Sequence, residues 1–261
     1  MAKAVDGAAA FELYYQNLYG NRWPGLKAAL LAPKEQTAIT LTNPPYYLDK
    51  ASLQVVKALQ IDKDMQVLDM CAAPGGKSLA IAQALQGTGL LMANELQSDR
   101  FFRLKRVINN LSENYHQNIK LTKYDATRLN FFINNTHFDR ILLDAPCSSE
   151  AHVLADNKYL QQWKPSRSKN LAIKQLAMLC SALELCQAGG LIAYSTCALS
   201  PTENDEVIEK FLKKRAGRLK VIHIPLVGEA TSYGQIILPD NPNTAGQGPM
   251  YFCIIKKIIS D

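Results

Sequence analysis

Two cysteines in this chain stand where a thiol could do nucleophilic chemistry. Cys147, in Asp144-Ala-Pro-Cys-Ser148, and Cys197, in Ser195-Thr-Cys-Ala-Leu-Ser-Pro-Thr-Glu-Asn204, each follow a short apolar run that reads as a strand. Both thiols are therefore expected at the carboxyl edge of a sheet, where open α/β folds bind their ligands. A thiolate there can add to an electrophilic carbon if it is accessible and its pKa is lowered. Cys180, Cys186 and Cys253 read as small buried hydrophobes. With no C-x-x-C pair and no histidine cluster beside them, the 6 cysteines suggest reduced thiols in the cytoplasm, with no metal site and no disulfide framework.

A third stretch, Val67-Leu-Asp-Met-Cys-Ala-Ala-Pro-Gly-Gly-Lys-Ser78, reads as strand, tight loop and helix start, a geometry suited to a nucleotide-like or anionic ligand. Its end also matches the phosphate-binding pattern G-x-x-x-x-G-K-S/T. In that use Lys77 would meet phosphates, and Ser78 and Asp144 would hold magnesium. Cys71 falls where the pattern wants its first glycine, however, and Pro74 removes an amide from the cradle. A nucleoside fits better, because Glu95 ends the next strand twenty residues after Gly75, where a carboxylate can accept from both ribose hydroxyls. Asp125 ends the following strand and could receive an adenine amine, and Asp144 lies nearest the centre.

The elements that must position these groups alternate. Val67 to Cys71, Leu90 to Glu95, Ile119 to Asp125, Arg140 to Asp144 and Leu191 to Thr196 are short apolar runs separated by segments of helical period. This order predicts a parallel sheet covered by helices on both faces. Leu219 to Pro225 and Pro249 to Ile258 add two strands, expected as an antiparallel hairpin at the sheet edge, for seven in all. Ser200-Pro-Thr-Glu203 predicts a helix start with Ser200 as N-cap and Glu203 completing a capping box. Residues 1–49 read as a small helical and extended cap, and 50–261 as the main domain. The N-terminus has neither the pattern of a signal peptide nor that of a membrane anchor.

At 261 residues and 48% hydrophobic content, the chain can bury one good core. Lys and Arg number 29 against 23 Asp and Glu, a net charge of +6 that leans toward a polyanionic partner. Lys158, Lys164, Arg167 and Lys169 follow the Pro-Cys stretch with Tyr159 and Trp163 interleaved, a mixture suited to backbone neutralisation and base stacking on a nucleic acid.

Together, Asp69 to Lys77, Asp144 to Ser148 and Ser195 to Asn204 resemble the motifs of the Sun family of RNA cytosine-5 methyltransferases, in order and in separation. The resemblance runs from about Tyr46 to the final strand. It implies a Rossmann-like class I methyltransferase fold that binds S-adenosylmethionine through Ala72, Ala73, Pro74, Gly75, Gly76, Lys77, Glu95, Arg100, Asp125 and Asp144. It also implies Cys197 as nucleophile at cytosine carbon 6, Cys147 in product release, and Asp144 hydrogen-bonded to the cytosine ring. DNA cytosine-5 methyltransferases are similar too, but there the Pro-Cys cysteine attacks, which would give Cys147 that role. Ser148-Ser-Glu-Ala-His152 departs from the glycine-rich stretch usual in the family, and no separate RNA-binding domain is recognisable. The chain looks closest to the compact branch that includes mitochondrial rRNA and tRNA enzymes, so rRNA or tRNA is the expected partner, with a protein partner for specificity. A P-loop nucleotide hydrolase and a non-catalytic RNA-binding module on the same fold are the competing readings.

Overall fold

The computed structural model of the chain describes residues 6–133 and 136–258, so the first five residues of the expected cap and the last three of the main domain lie outside the described residues. Helices α1 (Gly7–Tyr19) and α2 (Trp23–Leu31) are followed by an antiparallel pair, β1 (Gln36–Ile39) and β2 (Tyr46–Asp49), and by α3 (Lys50–Ala58). Asp49 ends β2 and caps α3 by accepting the Ala51 N–H at 2.7 Å. The alternating part runs β3 (Gln66–Asp69), α4 (Gly76–Leu85), β4 (Leu90–Asn94), α5 (Ser98–Asn109), the single turn α6 (Glu113–His116), β5 (Ile119–Thr122), α7 (Leu129–Phe132) and β6 (Phe138–Asp144). Then come α8 (Glu150–Ala155), α9 (Asn157–Gln161), α10 (Ser166–Leu185), β7 (Cys186–Thr196) and α11 (Asp205–Lys214). The chain closes with β8 (Leu219–Ile222), β9 (Glu229–Ala230), β10 (Gln235–Ile237) and β11 (Met250–Lys257).

The main sheet has the order β5-β4-β3-β6-β7-β11, with the first five strands parallel and β11 antiparallel to β7. It has nine strands among the described residues, not the expected seven. The two additional strands, β9 and β10, are two and three residues long, too short to leave a period in the sequence. β10 pairs with the first half of β11 and carries β9 on its outer side, while the second half of β11 takes β8. The expected pairing of the Leu219 and Met250 runs is therefore present, but β11 lies inside the sheet rather than at its edge.

Successive residues of the central strands point to opposite faces. Leu68, Ile141, Leu143, Ile192 and Tyr194 belong to one buried cluster, and Val67, Leu91, Leu142, Leu191 and Ala193 to the other. Each fully buried aliphatic side chain contributes about 1.5–3 kcal/mol, so both faces are held firmly. The N-terminal helices join the first cluster: Phe11, Tyr15, Trp23 and Leu26 are completely buried against it. The parallel register pairs Asp69 with Ala93 and Leu142, Asn94 with Thr122, and Asp144 with Ser195. Every motif therefore comes out at one edge.

One local expectation fails. Ser200 makes no side-chain cap; its hydroxyl shares a 3.0 Å hydrogen bond with Tyr14. Pro201–Glu203 forms a 3-10 turn, Asn204 then breaks the helical path at φ −111°, ψ −107°, and α11 starts at Asp205. The Glu203 side chain turns inward, where its carboxylate accepts from the Ser148 N–H and from Gln175, both at 3.0 Å. Two long-range donors in a buried site outweigh one local N–H at a helix end.

Candidate active site

The loop from β3 to α4 is shaped by its two glycines. Gly75 has φ +120°, outside the range of ordinary side chains, and a Cβ there would lie 2.9 Å from Val107. A Cβ on Gly76 would lie 2.8 Å from both Leu48 and Tyr46, so β2 closes directly over the loop. Arg100, on α5, donates to the Ala73 carbonyl at 2.6 Å and lies 3.5 Å from Glu95 Oε2, which ties the loop to the end of β4. Asn94, which the sequence reading missed, knots three strand ends: its amide donates to Met70 and Tyr124 carbonyls, and its oxygen accepts from Thr122 and the Tyr124 N–H.

Beside this loop opens a cavity of about 430 Å³ lined by Cys71, Glu95, Arg100, Asp125, Pro146 and Met178, among others. Of the expected cofactor residues, Glu95, Arg100 and Asp125 line it. Ala72, Ala73, Pro74, Gly76, Lys77 and Asp144 border a smaller recess on the other side of the loop, with Asp69 and Tyr46. Glu95 is buried, and its Oε2 has no hydrogen-bond partner, while Oε1 accepts the Gln97 N–H at 2.9 Å. Apart from the ion pair with Arg100 at 3.5 Å, Oε2 has no hydrogen-bond donor, and its residue lines the cavity, which suits a ribose hydroxyl. Asp69 holds a second such oxygen, Oδ1; burial, reinforced by the nearby Asp144 charge, pushes its carboxyl up to about 7. The residues present thus fit S-adenosylmethionine, with Glu95 at the cavity wall as an acceptor for the ribose.

The phosphate-loop reading fails at its two functional residues. Ser78 donates its hydroxyl to Asp69 Oδ2 at 2.7 Å, and Lys77 Nζ pairs with Asp144 Oδ2 at 2.7 Å. Burial works against the Lys77 ammonium, but the charge and hydrogen bond of Asp144 hold its pKa above the ordinary value. Asp144 also accepts from the Ser195 hydroxyl at 2.8 Å, so its orientation is fixed from the start of α4 and from the neighbouring strand β7.

Cys147 and Cys197 come together at the ends of β6 and β7, with Sγ atoms 2.8 Å apart and both thiols half-buried. The Cys197 thiol is held below its usual pKa because the Cys147 S–H donates to it and the Ser149 hydroxyl assists, against the effect of burial. Cys147 is correspondingly pushed up, first by that hydrogen bond and then by burial. The Cys197 N–H does point at Cys147 Sγ at 3.3 Å. Of the pair, Cys197 is thus the thiol held more acidic and Cys147 the one held less so.

The expected RNA-contact residues separate. Lys158, Lys164, Arg167 and Lys169 are exposed, and Lys164 and Arg167 line a groove of about 340 Å³ with Asn170 and Lys174. Leu171 and Lys174 border both this groove and the larger cavity, so the two adjoin. Lys174 was missed, although it lies seven residues past Arg167 on the same helix face. Lys169 is not part of the groove wall. Trp163 is not a stacking platform: it is 3% exposed, with its ring packed on Phe11, Tyr14 and Tyr15 at centroid distances of 5.2, 5.4 and 6.0 Å. Tyr159 stays exposed beside His152.

The chain is similar to known proteins in sequence and in fold. Residues 56–255 match the family described as 16S rRNA methyltransferase RsmB/F. The chain is 34% identical over 227 residues to the mitochondrial tRNA (cytosine(34)-C(5))-methyltransferase of Danio rerio, covering 82% of this chain and 60% of that protein. It is 31% identical to the 5-cytosine rRNA methyltransferase NSUN4 of Xenopus laevis, covering 82% of this chain and 56% of that one. It thus spans less than two thirds of the length of these relatives. Among solved structures, NSun6 from Pyrococcus horikoshii with SFG superposes with a TM-score of 0.72 at 25% identity, over 85% of this chain and 55% of that one. The sheet is that of a class I methyltransferase, mostly parallel with antiparallel strands at one side, and the chain belongs to the RsmB/F family.

Proposed function

We propose that this chain methylates carbon 5 of a cytosine in RNA, using S-adenosylmethionine and a covalent adduct on Cys197. The observation that carries the reading is the Cys147–Cys197 thiol pair, beside the Lys77–Asp144 ion pair, at the sheet edge next to a cavity lined by Glu95, whose Oε2 has no hydrogen-bond donor. S-adenosylmethionine, when bound, supplies an electrophilic methyl group. Cytosine carbon 5 becomes nucleophilic only after a thiolate adds to carbon 6, and Cys197 is the thiol held in the more acidic state. Asp144, oriented by Lys77 and Ser195, faces the ring and favours that addition. A base must then take the carbon 5 proton so that the carbon 6–sulfur bond breaks and Cys197 leaves as its thiolate, with Cys147 beside it assisting release.

Glu95 and Asp125 are assigned to the ribose and adenine ends, Ala72 to Lys77 to the methionine end, and Arg100 to holding that loop in place. Lys164 and Arg167, joined by Lys174, take the RNA backbone along the groove that meets the cavity. Lys169 is exposed on the same helix and contributes only long-range charge. The target base must be unstacked to reach the thiols. The relatives' names include both a tRNA and an rRNA enzyme, so either RNA is in scope, and a protein partner that supplies specificity belongs to the same proposal. Six free thiols suit a reducing compartment such as the cytoplasm.

Calorimetry tests the ligand: S-adenosylhomocysteine is expected to bind, and ATP with magnesium is not. Tight ATP binding would restore the hydrolase reading. Bisulfite sequencing of cellular RNA with and without the gene tests the reaction. Loss of a protected cytosine names the substrate, and an unchanged pattern in every RNA overturns the proposal.

A further inference from the structure

Glu150 sits three residues past Cys147, in the stretch that departs from the family pattern, and it is completely buried. Its Oε1 accepts from the Ser148 and Tyr15 hydroxyls, and its Oε2 accepts the Leu199 N–H at 2.9 Å. These donors come from the residue after Cys147, from two residues after Cys197, and from α1, which is remote in sequence. Tyr14 reaches Ser200 at 3.0 Å and Tyr19 donates to the Leu199 carbonyl at 3.0 Å, so one face of α1 grips the Thr-Cys loop. From the opposite side, Glu203 accepts from the Ser148 N–H, and Tyr194 donates to the Glu203 carbonyl at 2.6 Å. The two cysteine loops are therefore clamped between two buried carboxylates.

A buried acid with no cation against it is costly, and an apolar side chain of similar volume would stabilise the fold at least as well. Burial pushes the Glu150 carboxyl up, and its donors pull it back. What the acid adds is geometry: a single carboxylate ties both loops to a third element. Two thiols that must serve one base depend on such a tie, since a displacement of about 1 Å can cost roughly 100-fold in rate.

We propose that Glu150 is a positioning residue that sets the spacing of Cys147 and Cys197, and that α1, through Tyr15, belongs to the catalytic apparatus. Its effect on rate rests on the proposed methyl transfer; its effect on the thiols does not. Phenylarsine oxide, which bridges two close thiols with loss of water, reads the spacing without any turnover. The full-length protein is expected to be bridged between Cys147 and Cys197, as mapped by peptide mass spectrometry. Glu150→Ala is expected to slow bridging and lower kcat by about 10-fold or more, with KM for RNA and for S-adenosylmethionine within about twofold. Glu150→Gln, which keeps the length and one acceptor, is expected to recover part of both. Tyr15→Phe removes a single hydroxyl from a packed ring, and it decides the matter if Glu150→Ala does not fold. It is expected to slow both bridging and turnover to a smaller extent. Bridging at the wild-type rate in folded Glu150→Ala or Tyr15→Phe overturns the proposal, as does a rise in KM at unchanged kcat. A wild-type protein that is bridged, with slower bridging in the variants, but that methylates no RNA would overturn the proposed function and leave this inference standing.

Discussion

Replacing Asp69 with asparagine should make the protein more stable at neutral pH and change little in acid. Asp69 is 1% exposed; Oδ2 takes the Ser78 hydroxyl at 2.7 Å and Oδ1 has no partner. Burial raises its carboxyl pKa from 3.8 to about 7, with the Asp144 charge adding to the effect and Ser78 and Lys77 opposing it. Between those values the folded protein holds a proton that the unfolded chain has released, so stability falls as pH rises through the window and levels off above about 7. One proton over about three pH units, at about 1.36 kcal/mol each, gives roughly 4 kcal/mol as the upper size of the loss. Asparagine keeps an acceptor for Ser78 but cannot ionise. The difference in unfolding free energy between Asp69→Asn and wild type should therefore grow from near zero at about pH 4 to several kcal/mol at about pH 8. Urea unfolding of the two proteins across that range, at constant ionic strength, measures it directly. Parallel curves would refute the reasoning, because they would mean that Asp69 ionises at an ordinary pKa in the folded state.

Glu95→Gln removes the charge from the proposed ribose acceptor, and charge-assisted hydrogen bonds are worth about 1.5–3 kcal/mol. Calorimetry should show S-adenosylhomocysteine bound about 10- to 100-fold more weakly, with kcat at saturation little changed. Trp163→Ala should lower stability by about 3–5 kcal/mol, as expected for a buried tryptophan; loss of RNA affinity at unchanged stability would restore its role as a stacking residue. Lys164→Ala and Arg167→Ala should leave stability alone and each reduce the salt dependence of RNA binding by about one in log–log slope.

What was legible in the sequence was what depends on local pattern. Apolar runs separated by helical periods foretold the five parallel strands, and the strand-end acids Glu95 and Asp125 did come out lining one cavity. Contacts made at long range were not legible. Trp163 sits among lysines in the sequence, so it reads as surface, but Phe11, Tyr14 and Tyr15 arrive from α1 to cover it. Glu203 has the spacing of a capping box and instead answers the Ser148 amide, which folding brings from another loop. Asn94 and Gln175 carried no signal either, because each acts by satisfying backbone carbonyls of elements remote in the chain: Met70 and Tyr124 for the first, Pro146 for the second. The short strands β9 and β10 depend on long-range pairing, β10 on the edge of β11 and β9 on β10.

The division of labour between the two cysteines is the centre of the account, and one trapping experiment tests it. Cys147→Ala and Cys197→Ala would each be incubated with substrate RNA and S-adenosylmethionine, then separated under denaturing conditions, and any crosslinked peptide mapped by mass spectrometry. The account predicts a persistent RNA adduct in Cys147→Ala, attached at Cys197, and neither adduct nor methylation in Cys197→Ala. An adduct on Cys147 in Cys197→Ala, with none in Cys147→Ala, would contradict it and give Cys147 the nucleophile's role.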